Sequence, residues 1–181
     1  MNTQEKTKWT IDPSHSKIGF KVKHLMISNV LGNFREFEGH VTTDGNDFST
    51  AAISLSLNSS SVDTEIADRD THLKSADFFD AGNFPKITFV SVSLKDQGDN
   101  MFELNGALDI KGVKKQVFLS VELGGLMTDP WGNIKAGFSI TGKISRKDWG
   151  LNWNSALEAG GVLVSDEVKI ICDVELVKSA N

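Results

Sequence analysis

The sequence predicts an all-β protein: an eight-stranded antiparallel, up-and-down β-barrel with a small helical insertion and an elongated hydrophobic interior. Three observations carry this. Apolar and polar residues alternate with period two along most of the chain, as in strands with one dry and one wet face. Turn signals separate the segments, among them Asp44-Gly45-Asn46, Gln97-Gly98-Asp99-Asn100, Lys111-Gly112 and Asp129-Pro130-Trp131-Gly132-Asn133. One stretch, Asp63 to Lys74, drops the alternation for charge pairs spaced four apart. A two-sheet sandwich would satisfy the same alternation. The barrel is favoured because several segments run to about ten residues or more, longer than sandwich strands usually are. Closure also removes exposed edges.

The elements follow in order. Strands are expected near 15–27, 30–43, 50–58, 86–95, 101–111, 114–124, 133–145 and 166–178. In the first, Ile18, Phe20 and Val22 alternate with Lys17, Lys21 and Lys23. Phe102, Leu104, Gly106, Leu108 and Ile110 set the dry face of the fifth. Val117, Leu119, Val121 and Leu123 do so in the sixth, and Ile134, Ala136, Phe138, Ile140, Gly142 and Ile144 in the seventh. Val168, Ile170, Cys172, Val174 and Leu176 close the series. The fourth changes phase between Ile87–Phe89 and Val90–Val92–Leu94, so a bulge near Phe89–Val90 is expected.

The insertion, about 62–76, reads as a helix with Asp63 as N-cap. Glu65–Arg69, Asp68–His72 and Asp70–Lys74 are acid-first pairs in the favourable orientation, most simply a solvated face. A second helical turn is expected at about 146–157.

Length, charge and cysteine count narrow the classes. The 181 residues suit one domain, with 39% apolar and 24% charged residues. A net charge of −5 argues against nucleic acid as a partner and disfavours an anionic membrane surface. No run approaches the roughly 20 apolar residues of a spanning helix. No apolar stretch follows the first lysines, so a cytoplasmic location is expected if Met1 is the native start, and a periplasmic one if the chain is a trimmed mature form. The single cysteine, Cys172, excludes an internal disulfide and reads as a small buried hydrophobe. Homodimerisation is compatible with the fold and leaves no mark in the sequence.

A barrel of eight strands is either filled by side chains or holds one small ligand. Strands of about 12 residues, tilted by about 40°, give a tube about 30 Å tall. Gly39, Gly106 and Gly142 fall in phase with the dry face, where they leave room along the axis or let strands bend. The inward set carries almost no charge, so a ligand would be a long hydrocarbon. His24 is the exception, placed to meet a polar head or to be satisfied by backbone at the strand end.

Catalytic and cofactor signatures are missing. There is no G-x-S-x-G elbow, P-loop or G-x-G-x-x-G. His15, His24, His40 and His72 lie on separate elements without metal-ligand spacing, and Asp44 to Asp47 is too short for a calcium loop. No metal or cofactor is expected.

Five spaced motifs resemble the YceI-like family of lipocalin-like, polyisoprenoid-binding proteins. They are Trp9 to Ser16 with Phe20-Lys21-Val22-Lys23-His24; Val30-Leu31-Gly32-Asn33-Phe34 with Phe37 and Gly39; Arg69 to Ser75 with Asp77 to Asp80 and Phe84 to Phe89; Gly106 to Val113; and Arg146 to Leu151. The chain departs from the family pattern at Lys114, Gln116 and Trp149. The resemblance implies an extended barrel, a helical insertion beside it, and an isoprenoid or fatty-acyl chain in the tube.

The leading expectation is therefore a non-enzymatic carrier or sequestering protein for a long apolar lipid. Phe20, Val22, Leu104, Leu108, Phe138, Ile140, Ile170 and Cys172 are expected to line the tube. Phe34, Phe37, Phe78 and Trp149 are expected to close its ends. His24, Arg69 and His72 are candidates for a head group, with a structural tie as the alternative for Arg69 and His72. Two rival readings are a lipid-modifying enzyme using His15, His24 and His72, and a filled barrel acting through its surface.

Overall fold

A computed structural model describes residues 5–180. The reading of the N-terminal segment rests partly on residues 1–4, outside the described residues. Eleven strands and one helix are described: β1 (Lys6–Ile11), β2 (Lys17–His24), β3 (Ser28–Phe34), β4 (Phe37–Asp44), β5 (Asp47–Asn58), β6 (Val62–Asp63), α1 (Ala67–Lys74), β7 (Lys86–Gly98), β8 (Met101–Ile110), β9 (Val113–Thr128), β10 (Ile134–Ser145) and β11 (Val164–Lys178).

These strands make eight staves. β1 and β2 form one stave, broken by a 3-10 turn at Pro13–His15, and β3 and β4 form the next, broken at Arg35–Glu36. The ring runs β1–β4–β5–β7–β8–β9–β10–β11 and closes where Trp9, Thr10 and Ile11 pair with Lys178, Val177 and Leu176. β11 pairs along its other length with β2, and β2 with β3. All pairings are antiparallel, as expected for short connections.

Several expectations need correction. β1 and β6 were not foreseen, because six and two residues are too short for a clear alternation. The strand expected at 30–43 is split, because its inward phase runs on even positions to Phe34 and on odd positions from Phe37. The bulge in β7 falls at Val92, not at Phe89–Val90: Ser91 faces Gly106 and Ser93 faces Asn105. Ile87, Phe89 and Leu94 are then all buried, while Val90 and Val92 stand outside.

The helix begins at Ala67, and Asp63 does not cap it. Asp63 is committed elsewhere, pairing with Asn33 in β6 and accepting from the Glu65 amide (2.8 Å) and Arg35 Nε (2.7 Å). The acid-first pairs also do not form: Arg69 turns back to Thr64, Asp70 accepts from Thr64, and His72 binds Asp77. The turn expected over 146–157 is helical only at Arg146–Trp149. Beyond it, residues 150–163 are irregular apart from a bridge between Ala156 and Val162.

Arg146 explains how that loop holds a shape without regular hydrogen bonding. Its side chain is 4% exposed. It donates to the carbonyls of Leu151 (2.6 Å), Trp153 (2.8 Å), Ser165 (2.9 Å) and Val164 (3.3 Å). A guanidinium with donors in a fixed fork suits four converging carbonyls. Burial lowers its pKa, with Asp166 opposing the shift. Arginine stays charged nonetheless.

Candidate functional site: an apolar lumen

The barrel is not solid. A cavity of about 410 Å³ runs along its interior, within the range of small-molecule pockets. Its wall takes residues from both ends of the barrel, from Phe48, Ala51 and Leu176 to Ile110, Ile144 and Leu163.

One end is stoppered. Trp9 donates from Nε1 to Thr43 Oγ1 at 2.9 Å, and both are almost fully buried. Phe48 packs on Trp9 at 5.0 Å and on Phe138 at 4.9 Å between ring centroids. The indole N–H has a partner, so the plug leaves no orphan donor.

At the other end lie the polar lining residues Lys23, His24, Arg69 and His72, together with Trp153 and Leu163. All are half-buried except exposed Lys23. The cavity opens here, between the β2–β3 hairpin, α1 and the loop before β11. The insertion occupies the gap beside β3, which pairs with β6 only at Asn33 and Phe34. Phe79 reaches from the insertion onto Phe34 at 5.6 Å. His72 sits edge-on between Phe78 (5.1 Å) and Trp153 (4.6 Å), with Nε2 2.9 Å from Asp77 Oδ2. Arg69 is tied within the insertion, donating to Thr64 Oγ1 and O at 2.7 Å each.

Of the residues singled out from sequence, Phe20, Val22, His24, Phe34, Arg69, His72, Phe78, Leu104, Leu108, Phe138, Ile140, Ile170 and Cys172 are on the cavity wall. Two are not. Trp149 is 2% exposed and donates to the Leu108 carbonyl at 3.0 Å, so it seals the 3-10 turn against β8 and faces no lumen. Phe37, first residue of β4 after the phase break, packs against the core beyond the wall. Sequence reasoning missed Phe79, Trp153 and Leu163, which belong to irregular segments where no alternation marks an inward side.

The glycines act indirectly. A Cβ at Gly106 would stand 2.2 Å from Phe89 Cζ, one at Gly142 2.4 Å from Leu119 Cδ2, and one at Gly32 2.3 Å from Phe20 Cζ. The neighbour occupies the place of the missing side chain, so the vacancy appears on the axis and not at the glycine. Gly39 meets Ile11 and Leu55 at 3.3 Å in the same way.

Cys172 lines the lumen, and burial pushes its thiol up to about 11. That suits an inert hydrophobe. His15 pairs with Asp12 at 2.8 Å beside Glu175, outside the cavity wall, so it joins no lumen chemistry with His24 or His72. Lys135 Nζ already bridges Asp12 (3.4 Å) and Glu175 (2.8 Å) there.

A closed eight-stranded antiparallel barrel with a plugged base and an apolar lumen is the architecture of a lipocalin-like binding protein. Known proteins place it more narrowly. The YceI-like domain model matches residues 9–176, and the chain belongs to that family. A UPF0312 protein of Staphylococcus aureus is 40% identical over 170 residues, covering 93% of this chain and 96% of the relative. A Campylobacter jejuni YceI protein superposes with a TM-score of 0.76 at 33% identity, over 94% of this chain and 96% of that one. A polyisoprenoid binding domain from Saccharophagus degradans shares the fold, with a TM-score of 0.68 at 17% identity, over 94% of this chain and 98% of the other. Among the described residues, no helix is long and apolar enough to cross a membrane.

Proposed function

We propose that the protein carries or sequesters one long apolar lipid, an isoprenoid or fatty-acyl chain, in the lumen of its barrel. The observation that supports this most directly is the cavity of about 410 Å³, walled almost wholly by aliphatic and aromatic side chains and closed at one end. The Saccharophagus degradans neighbour, a polyisoprenoid binding domain, is in keeping with it.

The energetics select for length. Burying one methylene yields about 0.8 kcal/mol, while association costs about 4–15 kcal/mol. A chain of about five carbons breaks even only at the low end of that cost, whereas one of about fifteen yields about 12 kcal/mol before the cost is subtracted. The mouth sets the head. Its polar residues are Lys23, His24, Arg69, His72 and the carbonyl-bound Arg146, and among the described residues no aspartate or glutamate lines the cavity. A phosphate, carboxylate or other acceptor-rich head fits that lining, and an ammonium does not.

A second reading, chemistry on the bound lipid, draws on the His72–Asp77 pair at the mouth. The pair favours a clamp: Asp77 takes Nε2, and two aromatic rings hold the imidazole on its edges.

The test is organic extraction of freshly purified protein, followed by thermal melts of delipidated protein with added long-chain lipids. The proposal expects extracted lipid and a melting temperature that rises with chain length. Empty extracts together with unmoved melts would refute it. Under the enzymatic alternative, His72→Ala would change the chemistry of the extracted lipid and not only its amount.

A further inference from the structure

The β2–β3 hairpin beside the cavity mouth has a tip that is hard to explain as part of a freely dissolved surface. Leu25 and Met26 occupy the centre of the turn with φ of 53° and 64°. Such left-handed turns favour asparagine and glycine, and bulky side chains strain them. The tip gains little burial for that strain: Met26 is 57% exposed and Ile27 84%. Leu25 and Val162, each 38% exposed, extend the patch, and Leu31, 62% exposed, stands further down the hairpin beside Lys21. The tip is braced, with the Leu25 amide donating to the Leu163 carbonyl at 2.9 Å. Single exposed apolar residues are ordinary, whereas a contiguous patch marks an interaction surface.

The charge of the hairpin itself is equally one-sided. From Lys17 to Phe34 the chain carries three lysines and no acidic residue, in a protein of net charge −5. Lys21, Lys169 and Lys143 face one another across β2, β11 and β10. Like charges set directly opposite are unfavourable in a sheet. Of the acids of this corner, Asp166 pairs with Lys147 (3.2 Å) and Glu167 comes only within 4.0 Å of Lys143. Lys21, Lys23 and Lys169 have no carboxylate within 4.0 Å among the described residues.

We infer that this hairpin is a docking tip for the surface of an anionic lipid bilayer: Met26 and Ile27 enter the interface, and the lysines hold the anionic head groups. The negative net charge of the whole chain does not oppose this, because screening confines the interaction to charges within about 10 Å of the surface. The tip adjoins the one end where the lumen opens, since Lys23 and His24 also line the cavity. A docked barrel therefore presents its mouth to the bilayer from which an apolar chain is drawn. The inference takes its purpose from the carrier reading above, but its readout is independent of cargo.

The experiment is co-sedimentation of the full chain with vesicles of phosphatidylcholine alone or of equal parts phosphatidylcholine and phosphatidylglycerol. The expected result is binding to the mixed vesicles and little to the neutral ones. Exchanging Lys21→Gln or Lys23→Gln lowers vesicle affinity about fivefold per lysine. Met26→Ser with Ile27→Ser lowers it about tenfold or more while leaving extractable lipid and melting temperature unchanged. Absence of vesicle binding, or tip variants that bind as the parent does, overturns the inference. So does sedimentation velocity showing a dimer that Ile27→Ser converts to monomer, since a second copy then covers the tip. Lipid extraction without vesicle binding removes the docking tip alone, and vesicle binding without cargo removes the carrier alone.

Discussion

Phe89 on β7 covers Gly106 on β8, with its Cζ only 2.2 Å from where a Cβ would stand. The same relation joins Leu119 to Gly142 and Phe20 to Gly32. Three wall side chains thus lean over three glycines and keep the axis clear.

Restoring a side chain at these glycines narrows the lumen. At Gly142 the obstacle is the end of a flexible leucine, so Gly142→Ala swings Leu119 inward at a cost of about 1 kcal/mol. Extracted lipid then shifts to shorter chains, seen by mass spectrometry. At Gly106 the Cβ also meets the Val90 carbonyl at 2.7 Å, which cannot step aside. Gly106→Ala costs about 2–3 kcal/mol in denaturant melts.

Arg146→Ala strands the carbonyls of Leu151, Trp153 and Ser165. The expected loss is about 3 kcal/mol or more, since bonds to charged donors contribute about 1.5–3 kcal/mol each. Hydrogen exchange rises first over residues 150–165, and lipid escapes faster, because Trp153 then no longer holds the mouth. Arg146→Lys recovers little, since an ammonium cannot span the same set. Equal exchange in parent and variant would show that the loop holds itself.

Cys172 is shielded twice, by 7% exposure and by a thiol pushed up to about 11. At pH 8 the native protein reacts with a thiol reagent far more slowly than the denaturant-unfolded chain does. Rapid native labelling would mean that water reaches the lumen wall freely.

Asp12 gives the fold a pH dependence. The Ser14 hydroxyl foremost, with His15, the Ser14 amide and Lys135, holds its carboxyl well below the usual range, against a smaller opposing effect of burial. A depressed folded pKa contributes stability that is present above the unfolded value of about 3.9 and lost as pH falls through the folded value. Asp12→Ala therefore lowers stability at pH 7 by about 1–2 kcal/mol. Parent and variant converge progressively below about pH 4. Denaturant midpoints at pH 7 and pH 3 check the sign; a gap that widens toward acid contradicts it.

The staves of the barrel were legible because each long strand has one face against the lumen and one against water. That alternation placed Phe20, Leu104, Ile140 and Ile170 on the wall before any coordinates. It failed where the chain turns from that geometry. Trp153 and Phe79 point inward from irregular backbone, and the split at Arg35–Glu36 shifts the phase under Phe37. Asp63 and the acid-first pairs misled because other partners, Arg35 across the sheet and Thr64 and Asp77 just outside the helix, outcompeted bonds within it. The glycine positions were read correctly as inward, but not that their neighbours would fill them.

Native mass spectrometry of freshly purified protein, compared with Gly142→Phe, tests the account most directly. The parent is expected to carry an added mass that matches a long-chain lipid recovered by extraction, and the blocked variant to fly bare while still folded. A parent at its bare mass, or a blocked variant with the same adduct, would mean that the space along the barrel axis is not where a lipid resides.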